Sequence, residues 1–350
     1  MQRLHQKLAE KEIDGIFISQ PENRYYLSSF DGSAGYLLIT PQNAILATDF
    51  RYLEQVKVQA PDYQVFQITN NTVDWFPRLV AELNLSRLGF EAKDITFALY
   101  RQLSDILNKA QSRLQLVPLD GLIESIRAIK EPEEIELITR AAEITDSAFA
   151  YIEDTLRIGM TEKEVAWEIE KFLREHGSQN LPFDVIVASG TNSALPHAKP
   201  SQRQINAGEA VVIDIGASVG GYGSDLTRTI CPGPPDDTFK KVYDTVLRAQ
   251  LTALDVIKEG MSAKEADSLA RAVIEKAGYG EAFGHALGHG VGLVTHEQPH
   301  LGPTSTELLT SGMVFTIEPG IYLAGWGGVR IEDLAVMENG KIRVLSKARK

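Results

Sequence analysis

Cysteine is nearly missing from the sequence. Cys231 stands alone among 350 residues, so no disulfide can form within the chain and a reducing, cytoplasmic setting is expected. Long hydrophobic runs are missing as well. No segment reaches the roughly 18–20 apolar residues of a membrane-spanning helix. The first residues, Met1-Gln2-Arg3-Leu4-His5-Gln6-Lys7 followed by Glu10, Lys11 and Glu12, have no apolar core of the secretory kind and read as the start of an amphipathic helix. Positive charge is in deficit: 35 Lys and Arg stand against 47 Asp and Glu, a net charge of −12. That balance argues against nucleic acid as a partner, because phosphate binding needs a basic footprint, and against an anionic membrane surface. What remains, 43% hydrophobic and 23% charged residues, is a globular composition long enough for two ordinary domains or one large one.

The first third alternates β-rich and helical segments. Strands are expected over 16–19, 36–40 and 44–48, and helices over 50–60, 73–83 and 98–110, with Pro77 weakening the second helix. This order indicates a compact α/β domain of roughly 120 residues. It holds one histidine, His5, and no acids clustered in apolar strands. Pro118, Asp120-Gly121 and Glu131-Pro132 then punctuate the chain, and a long helix with one apolar stripe is expected from 133 to about 156. The domains are therefore set at 1–124 and 125–350.

The second part contains a repeat. Gly159-Met160-Thr161-Glu162-Lys163-Glu164 returns as Gly260-Met261-Ser262-Ala263-Lys264-Glu265, an offset of 101, and each copy is a capping box that opens a helix. Carried forward, the offset brings Asp214 and Asp225 close to Glu318 and Glu332. All four acids lie in or beside apolar, β-like runs. A buried carboxylate must be paired, protonated or bound to metal. Arg228 and Arg330 offer the simple answer, as partners of Asp225 and Glu332; two acids from each half of a repeat favour a shared centre. Five of the seven histidines, at 197, 285, 289, 296 and 300, fall in the same region. His285 and His289 have the spacing of a zinc-protease helix, yet residue 286 is Ala and four glycines surround the pair. Neither a phosphate-loop nor a dinucleotide glycine pattern is present.

These segments carry a resemblance. Ser193-Ala194-Leu195-Pro196-His197, Asp214-Ile215-Gly216-Ala217, Ser224-Asp225-Leu226-Thr227-Arg228-Thr229 and Gly288-His289-Gly290-Val291-Gly292 match the pita-bread metallopeptidases in order and spacing. So do His296-Glu297-Gln298-Pro299, Thr316-Ile317-Glu318-Pro319-Gly320-Ile321-Tyr322 and Gly328-Val329-Arg330-Ile331-Glu332-Asp333. This superfamily comprises methionine aminopeptidase, aminopeptidase P and prolidase. Gly32-Ser33-Ala34-Gly35-Tyr36 and Thr48-Asp49-Phe50-Arg51-Tyr52 resemble the amino-terminal domain of its Xaa-Pro branch. One departure is Val219, where many Xaa-Pro members carry Tyr; the resemblance implies an altered pocket wall there and an intact metal set.

The resemblance implies an α/β (α+β) architecture: a pita-bread catalytic domain with an internal two-fold repeat, preceded by a smaller creatinase-like α/β domain. It assigns Asp214, Asp225, His289, Glu318 and Glu332 to two divalent metals, with Mn²⁺ favoured and Co²⁺ or Zn²⁺ as substitutes. It makes Glu318 a proton shuttle, gives His296 a hydrogen bond to the developing oxyanion, and places His197 and His285 at the proline-side pocket. Tyr322 and Arg330 would orient ligands or substrate. The implied reaction is hydrolysis between an N-terminal residue and proline in short peptides, of the Xaa-Pro aminopeptidase type or, alternatively, the dipeptidase (prolidase) type. A homodimer is expected, with the turn at 31–35 and the loop at 49–52 near the catalytic mouth. A metal-free creatinase and a non-catalytic pita-bread binding module are the competing classes; the full ligand set argues against both.

Overall fold

Alternation of apolar side chains builds the first sheet. In the computed structural model, which describes residues 1–81 and 83–350, the chain divides into two units, Met1–Arg127 and Ala128–Lys350. In the first, strands β1 (Gly15–Ile18), β2 (Tyr36–Ile39), β3 (Ala44–Thr48), β4 (Gln64–Gln67), β5 (Arg87–Glu91) and β6 (Gln115–Leu119) form one sheet in the order β4-β3-β2-β1-β5-β6. Ile16 and Ile18 face a core that includes Leu4, Leu8 and Val56, while Phe17 between them faces a second core with Trp75, Phe76 and Leu103. Helices α1 (Gln2–Glu10), α2 (Pro21–Ser28), α3 (Leu53–Gln59), α4 (Thr72–Ala81), α5 (Phe97–Lys109) and the short α6 (Glu124–Arg127) cover the sheet.

Two expectations are refined. The helix over 50–60 is a 3₁₀ turn, Phe50–Tyr52, followed by α3. The carboxylate of Asp49 caps the turn at the Arg51 N–H (3.0 Å) and grips the Arg51 guanidinium (2.9 and 2.7 Å). The helix over 73–83 is realised as α4; its residue 82 lies outside the described residues. Pro77 sits within α4, whose Trp75, Phe76 and Leu79 are buried, and that packing outweighs the lost hydrogen bond.

The second unit runs twice through one plan. Helices α7 (Pro132–Thr155) and α8 (Glu162–Glu175) precede β7 (Ile186–Ser189), β8 (Val211–Ile215), the hairpin β9 (Ser218–Val219) and β10 (Tyr222–Gly223), and β11 (Leu226–Ile230). Then α9 (Asp237–Val256) and α10 (Ala263–Lys276) precede β12 (Gly288–Gly290), β13 (Glu297–Leu301), β14 (Val314–Ile317), the hairpin β15 (Gly320–Leu323) and β16 (Gly327–Arg330), β17 (Asp333–Glu338) and β18 (Lys341–Val344). The sheets are ordered β11-β8-β7 and β13-β12-β14-β17-β18.

The repeat is physical. Both capping boxes close: the Glu164 carboxylate accepts from the Thr161 N–H at 2.8 Å and that of Glu265 from the Ser262 N–H at 2.9 Å. The Gly159 N–H donates to the Ile205 carbonyl and the Ile205 N–H to Met160; Gly260, Leu309 and Met261 repeat the pattern. The offset has thus grown from 101 to 104 by residue 205 (309 − 205), and Asp214 and Glu318 share it (318 − 214). The second hairpin is longer, so Asp225 corresponds to Glu332 at 107 (332 − 225). Each half packs its helices on its strands through a separate apolar core. Among the described residues, no helix is long and apolar enough to cross a membrane.

Candidate metal centre

The four acids sit in or at the ends of strands. Asp214 is the fourth residue of β8, Asp225 directly precedes β11, Glu318 directly follows β14, and Glu332 lies between β16 and β17. Strand alternation decides where each neighbour points. Asp225 and Thr227 share one face of their strand; Leu226 and Arg228 take the other. Arg228 accordingly pairs with Asp333 (2.7 Å) and donates to the Ala348 and Arg349 carbonyls (2.7 and 2.9 Å). Arg330 pairs with Asp214 at 2.5 Å. The partners expected from sequence proximity, Asp225 for Arg228 and Glu332 for Arg330, are therefore corrected. In β11 alternation turns Arg228 away from Asp225, and the strand pairing of β8 and β11 brings Asp214 opposite Thr227, within reach of Arg330.

Around this ion pair the proposed ligands converge. The Nε2 of His289 lies 3.6 Å from Asp225 Oδ2 and 3.3 Å from Glu318 Oε1. Donor atoms of Asp225, His289 and Glu332 all lie within 4.8 Å of one another. Two threonines that the sequence reading passed over hold the acids. Thr227 Oγ1 donates to Glu332 (2.6 Å) and accepts from Arg330 Nε (3.0 Å). Thr316 Oγ1 donates to Glu318 (3.2 Å) and accepts from the His289 N–H (3.0 Å). Thr316 stands two residues from the acid it holds, but Thr227 holds an acid 105 residues away, a pairing that only the folded sheet makes.

These residues open into a cavity of about 870 Å³, lined also by His197, His285, His296, His300 and Arg330. The His289 and His296 rings lie against each other at 4.0 Å between centroids, tilted by 38°. His197 and His296 are exposed to the cavity, and His285 is half-buried. Tyr322 is not among the lining side chains; its hydroxyl joins His285 Nε2 (3.0 Å) to Arg330 Nη1 (3.0 Å).

Burial and crowding shift the ionisation of the whole cluster. Desolvation, followed by repulsion from neighbouring acids, pushes the carboxyls of Asp225 and Glu332 well above the usual range. Desolvation raises Asp214 against the pull of Arg330 and raises Glu318 to about 7. Burial lowers His285 and His289 to about 4 and lowers His296 as well, so these imidazoles are neutral. Burial opposes the charge of Arg330, but Tyr322, Asp214, Glu318 and Glu332 around it hold the guanidinium firmly protonated.

The cluster fits divalent metal. Asp214 Oδ1 is buried with no hydrogen-bond partner, an orphan acceptor in a site of crowded acids. Four carboxylates against one guanidinium leave an excess of negative charge that further cations would neutralise. The donor set is oxygen-rich with one neutral imidazole, suited to borderline-hard divalent ions.

Comparison with known proteins agrees. Residues 136–339 match Metallopeptidase family M24, and residues 1–129 match the Creatinase/Prolidase N-terminal domain. A solved Xaa-Pro dipeptidase from Bacillus anthracis is 42% identical with a TM-score of 0.96, covering 100% of this chain and 97% of that one. A crystal structure of X-Pro aminopeptidase from Thermotoga maritima MSB8 is 37% identical with a TM-score of 0.88, covering 97% and 96%. The Xaa-Pro dipeptidase of Pyrococcus furiosus is 37% identical over 100% of this chain and 98% of its own length. The chain belongs to metallopeptidase family M24, as a metallo-exopeptidase of the Xaa-Pro peptidase group with the pita-bread fold.

Proposed function

We propose that the chain hydrolyses the bond between an N-terminal residue and proline in short peptides, using two divalent ions held by Asp214, Asp225, His289, Glu318 and Glu332, with Mn²⁺ as the native metal. The observation that carries this reading is the convergence of these five side chains, one orphan carboxylate oxygen among them, on a cavity rimmed by histidines. The chemistry a bound divalent pair supplies there is Lewis-acid polarisation of the peptide carbonyl and acidification of water.

The protein's own groups do the rest. Glu318, a carboxylate that lines the cavity, takes the proton from the attacking water and returns it to the proline nitrogen, which must be protonated to leave. His296, its pKa lowered by burial and its ring tilted against that of His289, donates a hydrogen bond to the carbonyl oxygen as charge develops on it. His197 and His285 form the wall on the proline side. Arg330 holds Asp214, and Tyr322 acts through Arg330 and His285, orienting both. Proline has no amide N–H and a fixed φ, so an enzyme that reads an extended backbone loses a hydrogen bond on it. A pocket that takes the ring beside the reaction centre removes that handicap.

A second reading concerns substrate length. The names of two relatives, at 42% and 37% identity, favour a dipeptidase, while a third at 37% is named an aminopeptidase. Rates on Ala-Pro and Ala-Pro-Ala under saturating Mn²⁺ decide between them. Cleavage of both assigns the aminopeptidase type; cleavage of Ala-Pro alone assigns the dipeptidase; cleavage of neither overturns the proposal.

A further inference from the structure

Glu162, the first residue of α8, is fully buried and takes no part in the chemistry above. We propose that it is a positioning residue for the substrate wall, fixing the segment that carries His197. Its Oε1 accepts from the Ser189 N–H (2.7 Å) and hydroxyl (2.9 Å), and its Oε2 from the Ser201 N–H (3.0 Å) and hydroxyl (2.7 Å). The Asn192 amide reaches both oxygens, at 3.1 and 3.2 Å. Ser189 and Ser201 bracket one segment, and one carboxylate ties both of its ends. Between these anchors lie the consecutive cavity residues 196–200, with His197 among them. The Pro196 carbonyl accepts from Arg330 Nη1 (3.2 Å), so the same segment also meets the guanidinium that holds Asp214.

Every hydrogen bond to the Glu162 side chain comes from a donor, and a carboxylate can accept at both of its oxygens. An isosteric amide would turn an NH₂ toward N–H and O–H groups and leave buried donors unsatisfied. The second half of the repeat solves the same problem with different residues. Asp267 in α10 is buried, accepts from the Leu287 N–H (3.0 Å) and pairs with Arg271 (2.7 and 2.8 Å). Arg271 then donates to the Phe283 and His285 carbonyls, both at 2.9 Å. Subtracting the offset of 101 from Asp267 gives Ala166, not Glu162. The two acids are therefore not repeat equivalents, yet each half ties the loop of its cavity histidine to a buried carboxylate of its second helix.

The inference rests on the cavity being the substrate site, and its test separates the two. Amide hydrogen exchange, metal content and Ala-Pro kinetics with Mn²⁺ are measured for the wild type, E162Q and the milder S201A, which loses one hydroxyl from the clamp. In E162Q, exchange over 190–201 should speed up roughly tenfold while β8 and α7 keep wild-type protection. KM for Ala-Pro should rise about 10–100-fold with kcat changed less than about threefold and metal content unchanged, the pattern of lost substrate positioning. S201A should move the same quantities less. Wild-type exchange over 190–201 in both variants overturns the clamp, as does a loss of activity that follows loss of metal. If the wild type fails to cleave Ala-Pro, the functional reading falls and the exchange result still decides the clamp.

Discussion

Asp225 shows how a residue can serve a site at the expense of stability. Its carboxylate is buried beside Glu332, Asp214 and Glu318, and their repulsion raises its pKa further. Asp225→Asn removes a charged ligand, so bound metal should fall and hydrolysis should be abolished. The same change relieves repulsion in the metal-free protein, whose Tm at pH 8 should rise. Full metal occupancy with retained activity would remove Asp225 from the ligand set. His296 lies on the other side of the chemistry: His296→Ala should lower kcat by roughly 10²–10³-fold, the scale of a lost oxyanion donor, with metal content nearly unchanged. A large loss of metal would make His296 a ligand instead. The four acids were conspicuous because they lie in or beside apolar runs, whereas His289 entered the ligand set only through the family resemblance. Thr227, Thr316 and the Arg330–Asp214 pair were not legible. A threonine in a strand is ordinary, and the choice of partner for a buried arginine is made by strand pairing, which the sequence does not display.

Among the elements, β1, β2 and β3 were read from their apolar runs, whereas β5, interior to the same sheet, was not. The apolar run at 211–215, interrupted by Asp214, is β8 to the residue. β4 and β6 form the two edges of the first sheet and also went unforeseen: β4 has Gln at both ends of an apolar pair and is largely exposed, and β6 carries Pro118. The glycine-rich run around His289 concealed β12. A Cβ at Gly288 would meet the Thr316 carbonyl oxygen at 2.0 Å, and one at Gly290 the Gln298 carbonyl oxygen at 2.1 Å. The glycines there admit close backbone packing on both sides of a strand that presents His289. The capping boxes were read correctly in both copies, and they predict matched costs. Thr161→Ala and Ser262→Ala should each lower stability by about 1 kcal/mol in urea unfolding, with activity intact. A cost in one copy alone would show that the two helix starts do not bear the same load.

For the molecule as a whole, the acid cluster couples folding to metal and pH. A carboxyl whose folded pKa is raised holds its proton longer in the native state than in the unfolded chain. Its contribution to stability is complete below the unfolded value near 4 and is lost as pH rises through the folded value, about 7 for Glu318. Metal-free protein should therefore lose stability between about pH 5 and pH 8, on the order of 3 kcal/mol from Glu318 alone. Saturating divalent metal, which binds the ionised cluster, should flatten that slope, and a metal-free protein with no such slope would contradict the crowding described here. The division into an α/β sheet unit and a duplicated unit was visible in the punctuation of the sequence and its repeated capping boxes. The drift of the offset from 101 to 107 was not, because it depends on a longer second hairpin.

The central claim is that the five-residue cluster is a divalent-metal centre that cuts before proline. Its most direct test is to strip the protein of metal and follow hydrolysis of Ala-Pro and Ala-Ala before and after adding Mn²⁺. The account predicts no cleavage of either dipeptide without metal, and restored cleavage of Ala-Pro in clear preference to Ala-Ala with it. Cleavage of Ala-Pro by the stripped protein, or none with Mn²⁺, Co²⁺ or Zn²⁺ at saturation, would contradict it.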